Sequence, residues 1–203
     1  MISEIENAMM ARLKDGLGRM VSSVGSYGGE LEDVGAIARV LPACWVTFLG
    51  VQQTRPVSTH KHRFYTTGRF SVLLAAYSVR DEVSCNQLIR AVRRLMSRQD
   101  MGLPVEPLLS GRVRSLFSTR LNSDALAAYS CDFDTVWVEE ALDNGRWLAP
   151  ESDNDPDRLF ADYQGRLDTS WPMHERTGLA YHLDDQPAVV AQDIVTIRAK
   201  DPD

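Results

Sequence analysis

The sequence has no apolar run longer than a strand, and so offers no stretch that would cross a bilayer as a helix. Its opening residues, Met1-Ile2-Ser3-Glu4, lack the basic-then-apolar order of a secretory signal, so neither export nor membrane contact is expected. Cysteine is scarce. Cys44, Cys85 and Cys131 are widely spaced, lie in apolar patterns and cannot all pair, which predicts buried reduced thiols. Signatures of chemistry are missing as well. There is no G-x-S-x-G elbow and no cysteine in an electropositive, polar setting. Gly25, Gly28 and Gly29 lead into Glu30 and Leu31 rather than into the lysine of a phosphate loop. His60 and His62 could share a face of a strand, but Arg55, Lys61 and Arg63 surround them and no nearby cysteine or carboxylate completes a ligand set. The expectation is no enzyme, no metal and no cofactor. There is no solenoid period, no low-complexity tract and no named nucleic-acid-binding motif.

What is present is ordinary globular material with an uneven charge. The 203 residues are 44% hydrophobic and 25% charged, enough for one well-buried domain with an appendage. The net charge is -6, yet residues 1–143 hold 16 acids and 16 bases. Residues 144–203 hold 12 acids and 6 bases, which is the whole excess. Residues 55–120 carry 12 Lys/Arg against 4 Asp/Glu. A basic middle and an acidic tail favour docking between unlike surfaces, within or between chains.

Tyr27 to Gly50 is the organising stretch. Leu31, Val34, Ile37, Ala38 and Leu41 recur at helical spacing after the Gly28-Gly29 breaker, and Pro42 stops them. Ala43 to Leu49 then reads as a strand buried on both faces. Upstream, Ile2, Ile5, Met9, Leu13 and Leu17 trace one face of a first helix that Asp15-Gly16 and Gly18 end, and Met20 to Ser26 reads as a short strand or link. Downstream, Gly50 to Lys61 reads as a polar loop. Arg63 to Ser78 alternates with period two, with Gly68 as its expected bend or bulge. A helix over about Asp81 to Arg98, capped by Ser78 or Asp81, buries Cys85, Leu88, Ile89, Val92, Leu95 and Met96. It sets Arg90, Arg93, Arg94 and Arg98 on its opposite face.

After a loop containing Pro104 and Pro107, Arg112 to Ser118 and Ala125 to Val138 predict a hairpin turning over Thr119 to Asp124. If the register allows, Arg112 and Arg114 pair with Asp132 and Asp134 across the strands. From Asn144 the texture changes to prolines, Asp and spaced anchors: Trp147, Leu159, Phe160, Tyr163 and Trp171. Only Ala188 to Lys200 looks regular, as a strand. The division is thus a domain over 1–143 and an extended acidic arm over 144–203. The surface residues singled out for subunit or partner contact are Arg55, Lys61, Arg63, Arg69, Arg112, Arg114 and Arg120, with Trp147 and Trp171 in the arm.

Six segments occur together in one order: ISEIENAMMARLKDGL, SYGGEL, LPACWVTFLG, RFSVLLAAYSVR, GRVRSLFSTRL and AAYSCDFDTVWVEE. From Met1 to about Trp147 the chain resembles a family of Mu-like phage and prophage proteins, encoded beside the tail sheath and tube genes and similar to tail terminators of the neck. Ser26 to Leu31 and Gly111 to Leu121 carry the most specific part of that likeness. The resemblance implies an α/β (α+β) fold, a mixed and largely antiparallel sheet with two or three helices on one face. It implies a virion protein of the tail and neck, assembled in the host cytoplasm. As a homo-oligomer, a hexameric ring, it would cap the tail tube, stop its polymerisation and join the head connector. The tail tube protein and the connector are the implied partners, with the tail sheath a further candidate, and DNA passes through the ring without specific binding. The alternatives are a head–tail connector or stopper, and a basic-faced neck protein that touches the DNA.

Overall fold

The computed structural model describes residues 1–32, 40–57, 62–77, 84–121, 124–150, 152, 154–168, 176–182 and 189–196. By its internal contacts the chain divides into Met1–Ala141 and Leu142–Asp203. The first unit is an α+β domain. Helix α1 (Ile2–Leu17) leads into β1 (Ser23–Ser26), then β2 (Ala43–Pro56), β3 (Arg63–Tyr77), α2 (Cys85–Met96), β4 (Leu109–Leu121) and β5 (Asp124–Glu140). The sheet order is β1-β2-β3-β5-β4. β1 runs parallel to β2, and the remaining pairs are antiparallel.

Period-two patterning sorts β3 and β5 into two faces. Phe70, Val72, Leu74 and Ala76 of β3, with Ala127, Cys131, Phe133 and Trp137 of β5, meet Ile5, Met9, Leu13 and Leu17 of α1 and Leu88, Val92 and Met96 of α2 in one buried cluster. Both helices therefore cover the same face. On the other face Ala43, Trp45, Leu73, Ala75, Leu126 and Ala128 form a smaller cluster with Tyr27, Leu31, Leu41 and Phe117. The three thiols lie in this interior and are not disulfide-bonded. Burial, reinforced by Cys131, pushes Cys44 up to about 12. Burial also lifts Cys131 to about 11, against the pull of the Arg93 charge.

Several local expectations are corrected. α1 continues through Asp15-Gly16 to Leu17, and Gly18 alone forms its C-terminal cap. β3 is unbroken at Gly68; the bulges fall in its partner β2, at Phe48/Gly50 and Val51/Gln53. Glycine is needed at 68 because the Trp137 ring lies there: a Cβ would come within 2.4 Å of it. The stretch expected as a polar loop after Gly50 is strand as far as Pro56, where both faces are exposed and no apolar period can mark it. Ser84 caps α2 in place of Ser78 or Asp81: its hydroxyl accepts from Gln87 N, and the Gln87 amide oxygen accepts from Ser84 N at 2.8 Å. The β4–β5 strands run to Leu121 and from Asp124, leaving two residues between them.

In the second unit Pro156–Arg158 and the short helix α3 (Leu159–Asp162) precede a two-stranded antiparallel sheet, β6 (Arg176–His182) with β7 (Val189–Thr196). The segment expected as an arm with one strand thus holds a hairpin. Residues 33–39, the body of the helix expected after Gly29, lie outside the described residues, as do His60, Lys61 and Trp171. Among the described residues no helix is long and apolar enough to cross a membrane.

Candidate subunit interface

Among the described residues of the first unit, two edges of the main sheet have no strand partner. β1 pairs with β2 over Ala43 to Val46, so among the described residues β2 from Thr47 to Pro56 has β3 on one side and no strand on the other. β4 closes the opposite edge and is mostly exposed, with Leu109 61% and Leu116 44% accessible. Strand edges carry backbone N–H and C=O groups ready to pair, and proteins blunt them where pairing is unwanted.

The arginines separate into structural and outward-facing groups. Arg69 donates to both oxygens of Asp134, from Nε to Oδ1 at 2.7 Å and from Nη2 to Oδ2 at 2.9 Å. That bidentate bond raises the Arg69 pKa further. Arg114 Nη2 donates to Asp132 Oδ2 at 3.0 Å, and Ser71 Oγ donates to Asp132 Oδ1 at 3.0 Å. Asp132 is 2% exposed and needs both partners; Arg114 reaches it from an edge strand while remaining 56% accessible. Cross-strand pairing of these carboxylates was expected, but Arg69 rather than Arg112 meets Asp134. The reason is register: Arg69 lies directly opposite Asp134, whereas Arg112 falls in a β4 irregularity between Ser110 and Val113.

Arg112 is exposed, and Arg120 occupies β4 near its end. Arg55 lies over the Tyr65 ring at 5.0 Å, and Arg63 Nε approaches Glu140 Oε1 at 3.6 Å, so both sit at the far end of the β2–β3–β5 sheet. Across α2, Arg93 donates from Nη1 to Gly111 O at 3.1 Å, and Ser97 and Ser110 hydrogen-bond through their hydroxyls. These contacts fix the arginine face of α2 beside the start of β4. Arg90, Arg94 and Arg98 are exposed there. The helix stripe and the strand arginines are readable in the sequence, but their juxtaposition is not, since it depends on tertiary contacts such as Arg93–Gly111 and Ser97–Ser110.

Within the second unit Trp147 is 43% exposed. The Arg166 guanidinium lies 4.7 Å from its ring centre, and its backbone N donates to Asp168 Oδ2 at 2.9 Å. Arg146 Nε also reaches Asp168, at 3.0 Å. The aromatic anchor is therefore held in place with one side accessible.

No cluster of three or more His, Cys, Asp or Glu that could hold a metal occurs among the described residues. A groove of about 380 Å³ is lined by Tyr65, Pro104, Val105, Pro107, Val136 and Val138. Its walls are apolar, with Glu106 the one ionisable carboxylate in the lining. Near Tyr27, Gly29 has φ of 104°, so the backbone itself asks for glycine there.

The family model described as Bacteriophage Mu, Gp37 matches residues 1–138, two thirds of the chain and nearly all of the first unit. The chain belongs to that family. It is a Mu-like phage protein, and the matched region spans α1 through all but the last two residues of β5. The second unit lies beyond the match. No curated protein matches the chain.

Proposed function

We propose that this Mu-like phage protein is a structural subunit of the virion neck, a tail terminator. Copies close as a ring, six by this reading, on the last ring of the tail tube. There they stop its growth and present the opposite face to the head connector. The protein has no catalytic role and uses no metal or cofactor. Its partners are other copies of itself, the tube protein and the connector, with the sheath alongside, while DNA passes through the lumen.

The family match over residues 1–138 carries the reading. The geometry supports it in two ways. A ring built from heterologous contacts needs two unlike, complementary patches on each subunit. Here the α2–β4 corner is arginine-rich and the residues after 143 are acidic. Open strand edges also supply directional backbone bonding, which fixes rotation between neighbours better than apolar contact alone.

Native mass measurement of the purified chain, with electron microscopy of phage particles carrying a labelled subunit, tests this. A closed oligomer and a label at the head–tail junction are expected. A monomer at every concentration, or a label elsewhere on the particle, overturns it.

A second reading, a neck protein that contacts the DNA, draws on the exposed guanidinium ridge of Arg90, Arg94 and Arg98. Backbone contacts of that kind weaken steeply with salt. Filter binding across a salt series distinguishes the two readings, since the terminator reading expects little DNA retention even at low salt.

A further inference from the structure

We infer that strand β7 of one copy adds to the free edge of β4 in a second copy, so that the C-terminal hairpin of each subunit extends its neighbour's sheet. The inference rests on the ring reading above and names the surface and the element that would join the subunits.

The first observation is the hairpin itself. Among the described residues β6 and β7 pair with each other alone, and Leu179, Tyr181 and Ile194 are 42%, 49% and 65% exposed. A lone two-stranded hairpin is marginal in water; a third strand or a covering surface is needed to hold it. No described residue pairs with the outer edge of β7, so among the described residues the hairpin is short of a third strand.

The second observation is where such a strand is offered. β4 is 13 residues long, and among the described residues it has β5 as its one neighbouring strand. Its irregularities at Ser110/Val113 and Ser115/Phe117 twist parts of the edge and discourage indiscriminate pairing. Phe117 to Leu121, however, pairs residue by residue with β5. That leaves a regular edge of five residues, about the usual length of a strand.

Charge selects the match. β4 contains Arg112, Arg114 and Arg120 and no carboxylate, and α2 beside it contains Arg90, Arg93 and Arg94 and no carboxylate. β7 contains Asp193 and no base, and residues 144–203 hold 12 acids against 6 bases. The other open edge, β2 beyond Val46, has Arg55 as its one charged residue and that guanidinium lies over Tyr65. Electrostatic matching therefore favours β4, and backbone bonding supplies the geometry.

Single-cysteine variants of the full chain test this, because the native thiols are buried and do not compete. Ser115→Cys or Ser118→Cys, carrying one size of tag, is mixed with Gln192→Cys carrying another, under mild oxidation. All three positions are exposed. The expected result is a mixed-size disulfide product about tenfold above that formed when Thr54→Cys on β2 replaces the β4 variant, with Arg112→Glu and high salt both reducing it. Native mass is measured on the same samples. A multi-subunit assembly without the β4–β7 product overturns this inference and leaves the ring reading standing. A monomer without the product overturns both. An intrachain disulfide in the Ser118→Cys/Gln192→Cys double variant, with no mixed-size product, overturns the second copy as the occupant.

Discussion

Met1–Ala141 and Leu142–Asp203 solve the same problem to different degrees. The first unit buries Trp137, Phe70, Phe133, Ile5, Met9 and Leu13 almost completely between a five-stranded sheet and two helices. In the second, every described side chain is exposed or only half-buried: Tyr163 is 80% accessible, and Trp147, Leu159 and Phe160 are open as well. Folding the first unit can be driven by burial within one chain. The second has aromatic residues and a hairpin but no interior of its own among the described residues, so its order depends more on polar contacts such as Arg146–Asp168 and on whatever surface it meets. The family match stops three residues before the first unit does, at residue 138. A phage protein can hold one part fixed as a scaffold while the other adapts to particular neighbours.

The sharpest way to test that contrast is to disturb each side equally. Gly68→Ala places a methyl carbon against the Trp137 ring, and Trp137 is 1% exposed with its indole N–H donating to Glu139 Oε1 at 2.8 Å. The same carboxylate accepts from Thr66 Oγ1 at 2.8 Å, so shifting the ring disturbs two buried donors. The expected cost is about 3 kcal/mol, towards the upper end for overpacking a core. Tyr163→Ala, in the second unit, should stay within about 0.5 kcal/mol. Urea titration of both variants measures the difference; equal effects would mean the two units are not distinct in the way proposed.

How far the sequence reveals this division follows from where its patterns have physical force. α1 was legible because Ile5, Met9, Leu13 and Leu17 face one core. The two faces of β3 were legible across Gly68 because Phe70 to Ala76 are buried on both sides of the sheet, each side against its own cluster. Patterning failed where burial no longer constrains it. The outer half of β2 is exposed on both faces, so Gln52, Gln53 and Thr54 resemble a loop even though β3 holds them as strand. β6 shows the same limit: Leu179, Ala180 and Tyr181 are all exposed, so burial imposes no alternation on them. Of the interface residues, the type is readable but the partner is not: the β3–β5 register sets Arg69 opposite Asp134, while β4 sets Leu109 there, and no spacing in the chain announces either pairing.

A second test uses pH to read the scaffold alone. Cys44 and Cys131 sit in the first unit with their thiols pushed from an ordinary value of 9.0 up to about 12 and about 11. Because the folded pKa lies above the unfolded one, the folded chain retains protons that the unfolded chain has lost. The contribution is complete below about pH 9 and declines as pH rises towards the folded values. The slope approaches about 1.4 kcal/mol per pH unit for each thiol in that window. Unfolding by urea at pH 8, 9 and 10 should show the decline, and Cys44→Ala should reduce its slope. A pH-independent stability through pH 10 would contradict the burial of both thiols.

The smallest expected effect lies in the second unit. Arg166 over the Trp147 ring is a partly exposed cation–π contact, worth about 0.5 kcal/mol or slightly more. Arg166→Gln should therefore leave the unfolding midpoint of the chain nearly unchanged. It should alter the ring's surroundings all the same, and repeating Arg166→Gln in a Trp147→Phe background isolates that change in tryptophan emission, since Trp45, Trp137 and Trp171 emit in both backgrounds and cancel in the comparison. If β7 carries this unit onto a second copy, the same substitution has a larger effect on emission in the assembled protein than in the monomer, because ordering the unit also fixes the ring and its guanidinium. An equal change in both states would show that Trp147 is positioned within its own chain and is indifferent to assembly. That outcome would narrow the contribution of the second unit to its strand edge and its charge.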